Sequence, residues 1–82
     1  IWARKRLERK LRSCSVLGMM IALRQTDEIG YHTHMGMANG LTRAEIEEIL
    51  ITAIPYCGIP AAQNAKAAML AVFEAMDTQA QS

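Results

Sequence analysis

Apolar residues recur at three- and four-residue steps near the start of the chain, at Leu7, Leu11, Cys14, Leu17 and Ile21. That spacing predicts one helix from about residue 6 to about residue 24. Val16, Met19, Met20 and Leu23 widen the stripe until the helix is apolar nearly all round. Such a helix belongs in a core or at a subunit interface. A second helix opens at Thr26, read as its N-cap, with Asp27 and Glu28 favourably placed at its positive end. Asn39-Gly40 stops it, because glycine accepts the left-handed conformation that closes a helix. Gly36 lies in its interior at a cost of up to about 1 kcal/mol relative to alanine. A close approach of backbone or ligand would justify that cost; a merely tolerated glycine is the plainer alternative.

Thr42 starts the third helix, with Glu45 three residues on as a capping box. This helix spans roughly 43–57, with Ile46, Ile49, Leu50, Ala53, Ile54 and Cys57 inward and Glu45, Glu47 and Glu48 outward. Pro55 should kink or thin its last turn, and Gly58 ends it. Pro60 occupies a favourable first-turn position for the last helix. Residues 61–77 are alanine-rich, with Met69, Leu70, Val72, Phe73 and Met76 as larger knobs, and Gln79 to Ser82 read as a frayed tail. There is no strand pattern and no repeat. The expected fold class is all-α: a single compact domain over residues 1–82, of about four helices with short connections.

Composition adds a constraint. The chain of 82 residues is 51% hydrophobic with only four aromatic residues. A domain this short buries only about 60% of its unfolded surface. The surplus apolar surface predicts burial between subunits in a homo-oligomer. Two distant cysteines, Cys14 and Cys57, make neither a disulfide framework nor a metal site, and reduced thiols point to a cytoplasmic location. No apolar run reaches the length of a membrane span, and no signal peptide is visible. The start at Ile1 suggests that residues upstream are missing from this sequence. The net charge of +1 divides into +5 over residues 1–12 and −4 over the remainder. A solvated helix start, or a face meeting an acidic neighbour, is preferred to a nucleic-acid patch. The run lacks interleaved aromatics beyond Trp2 and contains no nucleic-acid motif.

His32 is the strongest acid–base candidate. On a helix it shares a face with Glu28, Ile29, Met35 and Gly36. Glu28 can bond one imidazole nitrogen and fix the tautomer, leaving the other to face a space that Gly36 keeps open. A packed or surface histidine is the competing reading. His34 points about 200° away, so no two-histidine metal site is expected. Arg4, Arg12, Arg24 and Arg43 could each hold a carboxylate through a planar fork. Arg12 stands out because it interrupts an apolar helix and needs an acidic neighbour or an anionic ligand. Tyr31 and Tyr56 default to packed rings, and both thiols to inert core groups.

Several motifs resemble those of the carboxymuconolactone decarboxylase family, within the wider alkyl-hydroperoxidase-D-like fold. Trp2-Ala3-Arg4-Lys5-Arg6-Leu7-Glu8 to Ser13 is similar to the family's Trp-Ser/Thr-Arg-Pro-Gly-Leu-Asp-x-Lys/Arg-x-Arg-Ser, with Lys5-Arg6 in place of Pro-Gly. Glu28 to His32 resembles Glu-Leu-x-x-His. Asn39 to Ile46 and Tyr56 to Ala65 follow the family's Asn-Gly-Leu-Thr-Arg-x-Glu-Ile and Tyr-x-Gly-x-Pro-Ala-Ala-x-Asn-Ala. The redox branch of this fold carries Cys-x-x-Cys before the histidine. Those positions would be Gln25 and Glu28 here, which excludes its thiol chemistry.

The resemblance implies an intertwined trimer or hexamer and a further N-terminal helical segment. It also implies cofactor-independent loss of carbon dioxide from 4-carboxymuconolactone, giving 3-oxoadipate enol-lactone in protocatechuate catabolism by the β-ketoadipate route. On that reading His32 is the acid and Glu28 orients it. Arg12 and Arg4 bind carboxylate, Tyr56 and Asn64 line the pocket, and no metal takes part. A relative acting on another lactone or β-keto acid, a non-catalytic oligomeric module, and a nucleic-acid binder using residues 4–12 stay open as alternatives.

Overall fold

The computed structural model describes residues 1–81, which form four helices and no strand. They are α1 (Arg9–Leu23), α2 (Thr26–Ala38), α3 (Arg43–Cys57) and α4 (Ile59–Gln81). Helix α1 packs on α2 and α3, and α4 closes the other side against the same two helices. Leu17, Ile21, Ile29, Leu41, Ile46, Ala65, Met69 and Phe73 form the centre of the core. The stripe on α4 runs Ala61, Ala65, Met69 and Phe73, the four-residue step of one helix face. Its small residues let the other helices approach, and its large ones fill the space beyond. No helix among the described residues is long and apolar enough to cross a membrane.

Helix α1 begins three residues later than its hydrophobic stripe predicts. Leu7 lies before the helix, and Leu7 and Leu11 are exposed. The buried face is Ser13, Leu17 and Ile21. A helix apolar on most sides has no periodicity that selects one face, and packing makes the selection. In α3, Ile46 and Ala53 are buried, Ile49, Leu50 and Cys57 pack against the core, and Ile54 is exposed. Pro55 is carried inside α3 without ending it. Leu70 on α4 is likewise exposed. Helix α4 continues through Gln81, so residues 79–81 are helical rather than frayed; Ser82 lies outside the described residues.

Thr26 does not cap α2. It is the first helical residue, preceded by Gln25, whose side chain makes no cap. The cause lies in the end of α1. Arg24 takes the left-handed conformation at φ 55°, and the Gln25 N–H donates to the Met20 carbonyl while Arg24 N–H donates to Ile21. This Schellman closure turns the chain so sharply that Gln25 already accepts the first α2 hydrogen bond, from Ile29 N–H. The Thr26 hydroxyl is spent on tertiary structure, donating to Asn64 Oδ1 at 3.2 Å.

The α2–α3 junction behaves as its sequence dictates. Leu41 N–H donates to Gly36 and Gly40 N–H to Met37, with Gly40 at φ 107°. Thr42 Oγ1 then accepts from Glu45 N–H at 3.1 Å, and Glu45 Oε1 accepts from Thr42 N–H at 3.0 Å. The cost of Gly36 has a structural reason. A Cβ there would lie 2.9 Å from Leu41 Cδ1 and 3.6 Å from Ser13 Cβ. The space is filled by core side chains rather than left open beside His32.

The junction is tied to α1 as well. Asn39 Nδ2 donates to the fully buried Ser13 Oγ at 3.0 Å. Lys10 lays its stem over Gly40 and pairs with Glu45 at 2.8 Å. Across the domain, Arg43 forks onto Asp77 at 2.6 and 3.2 Å and lies 4.9 Å from the centre of the Phe73 ring. Hydrogen bonding to Arg43 holds the Asp77 carboxyl below its ordinary range, and the bonds from Lys10 and the Thr42 backbone do the same for Glu45.

Three stability outcomes follow. Arg24→Gly relieves left-handed strain, partly offset by a more flexible unfolded chain, and should stabilise by about 0.5–1 kcal/mol in thermal or urea unfolding. Gly36→Val should destabilise by about 1–3 kcal/mol through overpacking against Leu41. Carboxyls with depressed folded-state pKa values stabilise the fold above their unfolded values and lose that contribution as pH falls through the folded ones. The melting temperature should therefore decline from the ordinary carboxylate range downward. Glu45→Gln with Asp77→Asn should flatten that acid limb.

Candidate active site

His32 lies in the second turn of α2, four residues after Glu28, and α-helical geometry brings the two side chains together. Glu28 Oε2 approaches His32 Nε2 at 3.5 Å. The Tyr31 ring meets the imidazole edge-on, with centroids 5.1 Å apart and planes at 83°. The imidazole is 16% exposed, and its Nδ1 is buried without a hydrogen-bond partner among the described residues. A ring with a carboxylate 3.5 Å from one nitrogen and a second nitrogen enclosed but unspent retains acid–base capacity.

A cavity of about 220 Å³ opens over this ring, lined by Trp2, Arg9, Tyr31, His32, Met35 and Asn39. Three parts of the chain build it. The N-terminal turn supplies Trp2, the first residue of α1 is Arg9, and α2 with its C-cap Asn39 supplies the rest. The Asn39–Ser13 bond fixes the far end of α2 against α1, so the two helices cannot splay at the cavity floor. A second cavity of about 330 Å³ shares Trp2 and Arg9 as a common wall and adds Arg4, Lys5 and Glu8.

The residues singled out from sequence are distributed unevenly. His32 and Glu28 are brought together. Arg4 lines the adjoining cavity rather than the one over His32. Arg12 lines neither; it is half-buried, and its Nε has no hydrogen-bond partner among the described residues. Asn64 sits on α4 bonded to Thr26, with Nδ2 buried and unpartnered. Tyr56 is 85% exposed and borders a separate cavity of about 470 Å³ between α1 and α3, together with Cys14 and Cys57. Both cysteines are free thiols. His34 is exposed. Among the described residues no group of three or more His, Cys, Asp or Glu side chains is placed to hold a metal ion.

Sequence reasoning missed Trp2, Arg9 and Asn39 as cavity residues. Met35 was on the right face but carried no chemical signal. Arg9 is indistinguishable by sequence from its five basic neighbours, since a charge run does not reveal which member borders a cavity. Asn39 was read only as a helix stop.

The sequence profile described as the carboxymuconolactone decarboxylase family matches residues 1–71. The nitrosuccinic acid decarboxylase of Metarhizium robertsii is 42% identical over 60 residues, covering 73% of this chain and 42% of that protein. The 4-carboxymuconolactone decarboxylase of Acinetobacter baylyi is 32% identical over 65 residues, covering 79% of this chain and 48% of that protein. The chain thus spans about half the length of the curated relatives it matches. A profile that runs from the N-terminal turn into α4 takes in every residue of the His32 cavity, and the chain belongs to the carboxymuconolactone decarboxylase family.

Proposed function

We propose that this chain carries the proton-transfer site of a cofactor-independent carboxy-lyase. Its substrate is a small dicarboxylate that contains its own electron sink. The observation that carries this reading is His32, with Glu28 beside it, lining a cavity that Arg9 also lines. With 4-carboxymuconolactone, the bond from the ring carbon to the leaving carboxylate breaks and carbon dioxide departs. Its electron pair moves through the ring double bond into the lactone carbonyl, giving an enolate. Protonation of that enolate at carbon yields 3-oxoadipate enol-lactone. Imidazolium at His32 supplies this proton and regains one from water. The substrate accepts the electron pair itself, so the protein's task is to position, desolvate and protonate.

Nitrosuccinate is a second reading, favoured by the 42% identity to a nitrosuccinic acid decarboxylase. Its nitro group would accept the electron pair as a nitronate, and the same acid would protonate the adjacent carbon. Both molecules retain one carboxylate after the other has left. A homo-oligomer is part of this proposal. Its support is the apolar surface left uncovered along α3 and α4 at Ile51, Ile54, Ile59 and Leu70.

The test is decarboxylation of freshly generated 4-carboxymuconolactone, followed by ultraviolet absorbance, with nitrosuccinate assayed in parallel. His32→Ala should lower kcat by about 10²–10⁴-fold, the usual worth of a positioned acid, while the helical circular dichroism stays intact. Glu28→Gln should cost less, since it orients rather than donates. Turnover of nitrosuccinate alone would select the second reading. A folded protein inert towards both substrates, or a His32→Ala rate within a few-fold of the parent, would overturn the proposal.

A further inference from the structure

We infer that Arg9, which lines the His32 cavity together with Trp2, is the residue that holds the non-reacting carboxylate of the ligand, and so sets a preference for dicarboxylates over monocarboxylates. The inference rests on the reading of His32 as the reacting end of the same cavity.

The argument starts from the six residues of the cavity wall. Met35 offers a thioether, which neither donates to nor pairs with a carboxylate. Asn39 gives one amide N–H to Ser13 Oγ, and what it has left, a second N–H and a carbonyl, is neutral. Tyr31 can donate one neutral hydroxyl, and Trp2 one indole N–H. Arg9 is the permanent cation in the set, with a planar fork that matches a carboxylate through two parallel bonds.

Arg9 is also available. The other cations placed near carboxylates are engaged: Lys10 pairs with Glu45, and Arg43 is forked onto Asp77. Arg9 has no ion-pair partner among the described residues, and its neighbour Glu8 borders the outer cavity but not the one over His32. Arg9 is exposed at the cavity rim, so water screens its charge, but its fork has no internal acid to displace before it takes an anion. Arg4 and Lys5 line the adjoining cavity beyond the shared Trp2–Arg9 wall and give the approach to Arg9 a positive potential.

The reaction dictates which carboxylate Arg9 takes. A cation on the leaving carboxylate stabilises the charged ground state and opposes the loss of neutral carbon dioxide. A cation on the retained carboxylate contributes equally before and after bond cleavage, so it improves binding without slowing the chemical step. The leaving carboxylate is then the one that Arg9 does not hold, and the protonated carbon is the one presented to His32.

The test separates binding from turnover. Glutarate and butanoate serve as unreactive probes, and the His32 ring resonances are followed by NMR, with the exposed His34 ring as internal reference. Lys66→Gln, far from the cavity, controls for net charge. In the parent and in Lys66→Gln, glutarate should move the His32 signals and bind about ten- to a hundredfold more tightly than butanoate, the worth of one charge-assisted bidentate contact. In Arg9→Gln that preference should vanish, and Arg9→Lys should restore part of it. With a substrate that turns over, Arg9→Gln should raise KM while kcat changes little, the reverse of the pattern expected for His32. Glutarate affinity in Arg9→Gln within twofold of the parent, or no preference for glutarate in the parent, would overturn the inference. An Arg9-dependent preference in a protein that decarboxylates neither candidate substrate would retain the anion site and reject the proposed reaction instead.

Discussion

The contact on which the rest of the domain depends is the seating of Leu41 against the bare backbone of Gly36. The Leu41 methyl occupies the place where any other residue at position 36 would put its own carbon. That seating folds the α2–α3 junction back onto α2 and brings Ser13 and Leu17 of α1 within van der Waals reach of the same point. Three further ties close around it: Asn39 to Ser13, Lys10 over Gly40, and Lys10 to Glu45. Together they clamp the start of α1 to the end of α2. Arg9 and His32 belong to those two helices, and both line one cavity beside the clamp.

This arrangement gives the cavity a titratable group and a permanent cation on separate helices. Around His32 the polar groups are a nearby carboxylate, a phenol and an amide already engaged. The permanent charge on this cavity is Arg9, and Arg4, Lys5 and Glu8 line the adjoining one. The reaction proposed for this cavity depends on keeping the titratable group and the permanent cation apart. Charge must capture the anion, yet must not lie against the carboxylate that is to become neutral. The other strong ion pair, Arg43–Asp77, lies between α3 and α4 and serves packing over Phe73 rather than the cavity.

The apolar excess has two distinct destinations. Leu17, Ile21, Ile29 and Ile46 disappear completely into the core. Ile51, Ile54, Ile59 and Leu70 border a groove of about 480 Å³ between α3 and α4, and Cys14, Gly18 and Ile49 border another between α1 and α3. Helices this short, with alanine at many of the close contacts, bury a narrow seam and leave their flanks apolar and uncovered. The same small residues that allow tight packing limit how much surface one chain can hide.

The sequence by itself determined the number and order of the helices, the junction from Asn39 to Glu45, and the pairing of Glu28 with His32. Each depends on residues at most five positions apart, so backbone geometry alone brings them together. Only the tertiary structure decided which face of α1 is buried, that Thr26 bonds across to Asn64 instead of capping its own helix, and that Gly36 receives Leu41 rather than a ligand. It also separated Tyr56 from the His32 cavity and selected Arg9 from a run of six basic residues. These outcomes join positions up to 38 apart. They follow from how helices with several apolar faces settle against one another, which periodicity along a single helix does not encode.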